Sequence, residues 1–142
     1  MKKMLLIIVS IFVFMIILFL GIFFYNSWQE KKEQARYAEI KESVKKAVEW
    51  NISAQYPYCN ISKDFRETSF PGSFYNSSFL IDNGYIKKEE LLDIDGKSYC
   101  DVYVDINTYY EDPLNHQKNC EIYYKIYLKC NNYKDKGYIN WG

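Results

Sequence analysis

The chain has 142 residues, no net charge at neutral pH and an aromatic content of 19 %. That length allows one modest core once a membrane segment is set aside. The charge balance excludes the strong field by which a basic chain gathers nucleic acid or an acidic substrate.

Lysine outnumbers arginine 16 to 2, and Asn, Ile and Tyr are abundant. AT-rich coding produces this pattern without any functional cause. The 15 tyrosines point to a tyrosine-rich sheet.

Residues 4–25, MLLIIVSIFVFMIILFLGIFFY, carry no charge and no proline. A helix of this length spans about 33 Å, which matches a hydrocarbon core of about 30 Å. Core helices of soluble proteins seldom run so far with apolar residues on every face. Ser10 can bond back to its own helix, Gly21 is tolerated in lipid, and Tyr25 and Trp28 fall where an aromatic belt forms. A cleaved signal peptide would have a shorter apolar run and small residues at its end, whereas this run ends in Phe23, Phe24 and Tyr25. We therefore expect an uncleaved anchor, with the lipid bilayer as its partner.

Orientation rests on two signals. Lys2, Lys3 and the terminal amine favour a cytoplasmic N-terminus, and Lys31, Lys32 and Arg36 on the other side oppose it. All four cysteines, Cys59, Cys100, Cys120 and Cys130, lie beyond the anchor, and none has a metal-ligand spacing. An even set of this kind suits disulfides, which places residues 57–142 outside the cytoplasm and residues 1–3 inside it.

Residues 26–56 form the next segment. No proline or glycine lies between Gly21 and Pro57, so the helix is expected to continue to about Gln55 as a stalk. Tyr37, Ile40, Val44, Ala47, Val48 and Ile52 recur at steps of three and four and share one face. Lys41 falls inside that stripe and must snorkel, while Glu42, Lys45, Lys46 and Glu49 take the opposite face. The stripe is expected to pack on the chain's own sheet. The alternative is a partner helix, for which six apolar positions make a short seam.

Pro57 stops the helix. Residues 57–76 read as a loop pinned by Cys59. Ser77 or Ser78 can cap a short helix through Phe79, Leu80 and Ile81 that stops at Gly84. Lys87 to Leu92 suit another helical turn, and Asp95-Gly96 is a turn before a strand. Asp93-Ile94-Asp95-Gly96 superficially resembles a calcium loop but lacks the later glycine, the ligand spacing and the closing glutamate, so the turn reading is preferred.

Two strands follow. In the first, Cys100, Val102, Val104 and Ile106 alternate with Asp101, Tyr103 and Asp105. In the second, Cys120, Ile122, Tyr124, Ile126, Leu128 and Cys130 alternate with Glu121, Tyr123, Lys125, Tyr127 and Lys129. A loop near Glu111 to Asn119 joins them, and a last short strand is expected within Gly137 to Trp141. Cys120 and Cys130 share one strand and stand about 33 Å apart if it is extended, far beyond disulfide reach. A hairpin centred on Asn115 sets Cys100 opposite Cys130, Val102 opposite Leu128 and Val104 opposite Ile126. That register favours Cys100–Cys130 and leaves Cys59–Cys120 to tie the post-stalk loop to the sheet.

Asp101, Tyr103 and Asp105 project together with Tyr123, Lys125 and Tyr127. The set is either a ligand surface with stacking aromatics or the solvated face of a tyrosine-rich sheet, and the latter is preferred. His116, the single histidine, reads as an exposed loop residue. Asn51, Asn60 and Asn76 each begin an N-x-Ser sequon, expected by chance in so Asn-rich a chain. No phosphate loop, metal cluster, cofactor motif or acid–base constellation is legible, so the chain is not expected to be an enzyme.

The apolar helix, amphipathic extension, disulfide-bearing loop and antiparallel sheet resemble type IV pilins and pseudopilins. The run FLIDNGYIKKEELLDIDGKSYCDVYV, Phe79 to Val104, followed by CEIYYKIYLKC, is similar to pilin-like proteins of low-GC Gram-positive bacteria. In those proteins a helix, a GYI turn, a DGKSYC segment and a closing YLKC strand recur. The similarity runs from about Ser43 to Gly142. The N-terminus differs: it has neither the pilin leader-cleavage motif nor the membrane glutamate, and the first acidic residue is Glu30. The resemblance implies a pilin-like α+β fold, a long helix on a small antiparallel sheet. It also implies a structural or assembly role among other pilin-like or envelope proteins.

Overall fold

The computed structural model describes residues 2–62, 73–110 and 120–138. His116, the Glu111–Asn119 connection with its centre at Asn115, and the end of the expected final strand lie outside the described residues. The chain divides into two compact units, Met1–Arg36 and Tyr37–Gly142.

The first unit is helical, the N-terminal part of α1 (Lys2–Gln55). Among the described side chains, Met4 and the large apolar residues from Leu6 to Tyr25 are exposed on all sides, Phe12, Phe19 and Phe24 among them. A helix this long and this apolar fits a transmembrane anchor.

The second unit is an α+β fold. The remainder of α1 lies on one face of a four-stranded sheet, β1 (Cys59–Ser62), β2 (Ser73–Asn76), β3 (Asp101–Tyr110) and β4 (Cys120–Lys129), in the order β1-β4-β3-β2. Tyr37, Ile40, Val44, Ala47, Val48 and Ile52 are all buried. They meet Val102, Val104, Ile106, Ile122 and Leu128 from the sheet in one core. A fully buried Ile or Val contributes about 1.5–3 kcal/mol, so the helical stripe is a main source of the unit's stability. Pro57 ends α1 because its ring prevents a further helical residue before it.

The expected antiparallel sheet requires correction, because the sheet is mixed. β3 and β4 are antiparallel, with Val102 opposite Leu128, Tyr103 opposite Tyr127 and Val104 opposite Ile126. β2 joins β3 antiparallel, but β1 runs parallel to β4, with Cys59 opposite Cys120. The long path from β1 through β2 and β3 supplies the crossover that parallel pairing needs. Residues 57–76 are accordingly more than a loop. Their two four-residue strands sit at the two edges of the sheet.

Short elements close the core. In α2 (Ser77–Asp82), the N-cap is Asn76, whose side chain accepts the N–H of Phe79 at 2.8 Å. Ser77 Oγ instead accepts the N–H of Val102 at 2.6 Å, tying α2 to β3. Gly84 follows with φ +71°, a left-handed conformation suited to glycine. A 3-10 turn spans Lys88–Leu91. After β4 the chain reverses, and Lys134 bridges back to Lys129. Gly137 and Tyr138 lie outside any strand.

Candidate functional site

A disulfide stands at each end of β4, one at its first residue, Cys120, and one at Cys130, directly after its last. Cys59–Cys120 has a Cα separation of 4.7 Å and Cys100–Cys130 one of 4.2 Å. The second pair extends the β3–β4 register by one step, which is the pairing a hairpin centred on Asn115 gives. Two disulfides fit an oxidising compartment.

The outward face of β3 and β4 holds five of the six residues singled out as a ligand surface in one patch. Tyr103 and Tyr127 lie directly opposite, with ring centroids 6.0 Å apart. Asp105 faces Lys125 on one side of this pair and Asp101 faces Lys129 on the other. The charges therefore balance across the strands, and the Lys125 ammonium sits 5.1 Å from the Tyr127 ring centre. Phe74 of β2 extends the row, stacked on Tyr103 at 5.8 Å and 55 % exposed. Sequence patterning missed it because β2 is too short to alternate. Gly137 covers part of Tyr127: a Cβ on it would stand 3.2 Å from Cε1 of that ring.

Tyr123 departs from the patch. Strand alternation puts it outward, yet it is only 2 % exposed, opposite the equally unexpected buried Asn107. Its hydroxyl donates to Glu121. Burial on both faces near this end of the strands breaks the inside–outside rule that period two relies on.

Asp93 and the Cys100 and Cys130 sulfurs lie within 4.8 Å of one another. The sulfurs are bonded to each other, so this trio presents one carboxylate and no thiolate. Asp93 accepts the N–H groups of Ile94 at 2.6 Å and Asn131 at 2.9 Å, bracing the loop before β3 against the end of β4. Asp95 accepts the Lys97 and Ser98 N–H groups, each at 2.8 Å, and the Ser98 hydroxyl at 2.6 Å. The Ser98 hydroxyl and these two amides hold its carboxyl below the usual range. Gly96, at φ +66°, donates its N–H to the Asp93 carbonyl at 3.0 Å, so Asp93–Gly96 is a hydrogen-bonded β-turn, and the Asp95–Lys97 bond adds an Asx turn after it.

Two sequons also have structural work. Asn51 is buried and its Oδ1 accepts the Tyr75 hydroxyl at 2.6 Å, and Asn76 caps α2. No protein-family model matches the chain, and no curated protein or solved structure matches it.

Proposed function

We propose that the chain is a single-pass membrane protein whose N-terminus is cytoplasmic and whose pilin-like, disulfide-bonded head lies outside the cytoplasm. Its role is structural: the head serves in assembly of an envelope, secretion or pilus-like apparatus, and packing is its chemistry. The observation that supports this most is the conjunction, in one chain, of an uncharged membrane-length helix with two disulfides beyond it. Neighbouring envelope subunits are the partners this reading requires. Crosslinking in intact cells followed by mass spectrometry tests it. Crosslinks from the head to other anchored envelope proteins are expected, and a head that remains monomeric and uncrosslinked would remove the assembly role.

A second reading is a surface module that binds a glycan or peptide through the tyrosine-rich sheet. The aromatic row Phe74–Tyr103–Tyr127, its first pair stacked and its second tilted, favours it. An F74S/Y103S double variant compared with the unaltered protein on glycan and peptide arrays tests this reading, and an unchanged binding pattern would eliminate it.

A further inference from the structure

Among the described residues, Trp50 is the large apolar side chain that stands exposed in the Tyr37–Gln55 part of α1. It lies off the buried stripe, on the stalk's polar side, and is 65 % exposed. It walls two clefts.

The larger cleft, 690 Å³ in volume, lies between α1 and the edge strand β1. Among the described residues its lining combines Lys45, Glu49 and Ser53 of α1 with Ile61 and Ser62 of β1 and Tyr124 of β4. The smaller, 430 Å³, lies on the other side of Trp50, where Lys46 and Ser43 face Tyr85 and Glu90. The Tyr85 ring centre is 5.6 Å from that of Trp50. Both volumes fall in the range of small-molecule sites.

The larger cleft is partly pre-organised. Tyr124 donates its hydroxyl to Glu49 Oε1 at 2.5 Å. Burial first, and then Glu49, push the Tyr124 phenol well above its ordinary pKa, so it stays a donor at neutral pH. The Glu49 carboxylate is thereby fixed in place, and its other acceptor positions remain for a ligand.

The chemistry of the lining selects a ligand class. An aliphatic ligand needs a continuous apolar wall, but the described lining of the larger cleft intersperses its apolar members, Trp50, Ile61 and the Tyr124 ring, with Lys45, Glu49, Ser53 and Ser62. A strongly charged ligand needs an excess of one sign, but each cleft pairs a single lysine with a single glutamate among its described residues. What fits is neutral, rich in hydroxyls and flat on one apolar face. A pyranose has this character: its C–H face stacks on an indole while its hydroxyls exchange hydrogen bonds with carboxylate, ammonium and serine groups. Because two clefts of the same chemistry share the Trp50 ring, a ligand of several such rings can cross from one to the other.

We propose that the paired clefts around Trp50 form a binding site for a neutral oligosaccharide. The site is separate from the sheet face carrying Tyr103 and Tyr127. It does not rest on the membrane reading, since all of its residues belong to the Tyr37–Gly142 unit.

The test uses the full chain in lipid nanodiscs, titrated calorimetrically with chitotetraose, cellotetraose and maltotetraose. At least one should bind saturably. W50A should weaken that binding by at least about tenfold, W50F should retain most of it, and E49Q should weaken it severalfold. The thermal midpoint of W50A should match that of the unaltered protein, because the ring is exposed. The proposal is overturned if none of the three sugars binds at millimolar concentration, or if W50A binds as well as the unaltered chain. It is also overturned if W50A dissociates a dimer without affecting sugar binding, which would make Trp50 an interface residue.

Discussion

Lys41 and Asp135, 94 positions apart, meet at 2.6 Å in a partly buried ion pair that fastens the C-terminal return to α1. Asp135 also accepts the Tyr133 hydroxyl at 2.7 Å and the Leu128 N–H at 2.8 Å. Tyr133 stacks on Tyr37 of α1 at 4.4 Å. A lysine inside an apolar stripe is thus answered by a carboxylate, and its stem packs while its ammonium pairs.

Removing the carboxylate should cost more than removing the ammonium. D135A leaves the Leu128 N–H without its side-chain acceptor and Lys41 with only the Tyr133 hydroxyl, and should destabilise the head by about 1.5–3 kcal/mol. K41M keeps the packing and leaves Asp135 its two other donors, so it should cost about 1 kcal/mol or less. Urea unfolding of both variants measures the order, and a larger loss in K41M would show that the ammonium is the main anchor.

The same pair sets a pH dependence. Burial pushes the Asp135 carboxyl up, but Lys41, Tyr133 and the Leu128 N–H together outweigh it and hold the carboxyl below its ordinary value. A depressed folded pKa means that the unfolded state binds the proton more readily. This contribution is therefore present above about pH 3.9, the unfolded value, and is lost as pH falls through the lower folded value. On the alkaline side, burial lowers the Lys41 pKa, but Asp135 and Tyr133 raise it further and the net shift is upward. Tyr124 is raised by burial and Glu49. Both contributions are complete below about pH 10 and are lost above it. Thermal melts across pH should show a D135N head with a shallower acid decline than the unaltered one, and parallel curves would refute the assignment.

The two disulfides should be nearly equal in global stabilisation and different in local effect. With sequence separations of 30 and 61, the chain-entropy relation gives about 3.6 and about 4.3 kcal/mol. Cys59–Cys120, however, joins the first opposed pair of a four-residue parallel edge strand. In C59A/C120A, hydrogen exchange should accelerate across Cys59–Ser62 and remain slow in β3. In C100A/C130A, the loss should centre on the start of β3 and the end of β4. Uniform acceleration in both variants would contradict this division.

Asn51 and Tyr75 make a buried polar contact between α1 and β2. Y75F removes the donor and leaves a buried amide oxygen without it, at a cost of about 1–3 kcal/mol. Chemical denaturation checks it, and a neutral Y75F would mean that the Asn51 oxygen finds another donor.

The sequence carries long, regular elements well and short ones badly. The six-residue stripe from Tyr37 to Ile52 is legible because about four turns repeat one period, and all six residues are in the core. The β3–β4 register is legible because ten-residue alternation and the Cys100 and Cys130 positions agree. β1 and β2 were unreadable, since four residues at a sheet edge leave no period, and the parallel direction of β1 follows from topology. The helix-cap reading missed by one residue because Asn76, Ser77 and Ser78 are all capping types, and Ser77 was taken by Val102. Tyr123 stands where pattern alone fails, since it is buried on the polar face of a strand.

The central claim, an anchored chain with its disulfide-bonded head outside the cytoplasm, is tested most directly by proteolysis of intact protoplasts with a membrane-impermeant protease. The account predicts that the head is removed or nicked from outside, and that non-reducing peptide maps of the shed material contain Cys59–Cys120 and Cys100–Cys130. Full protection of the head until lysis, with all four thiols free, would contradict it.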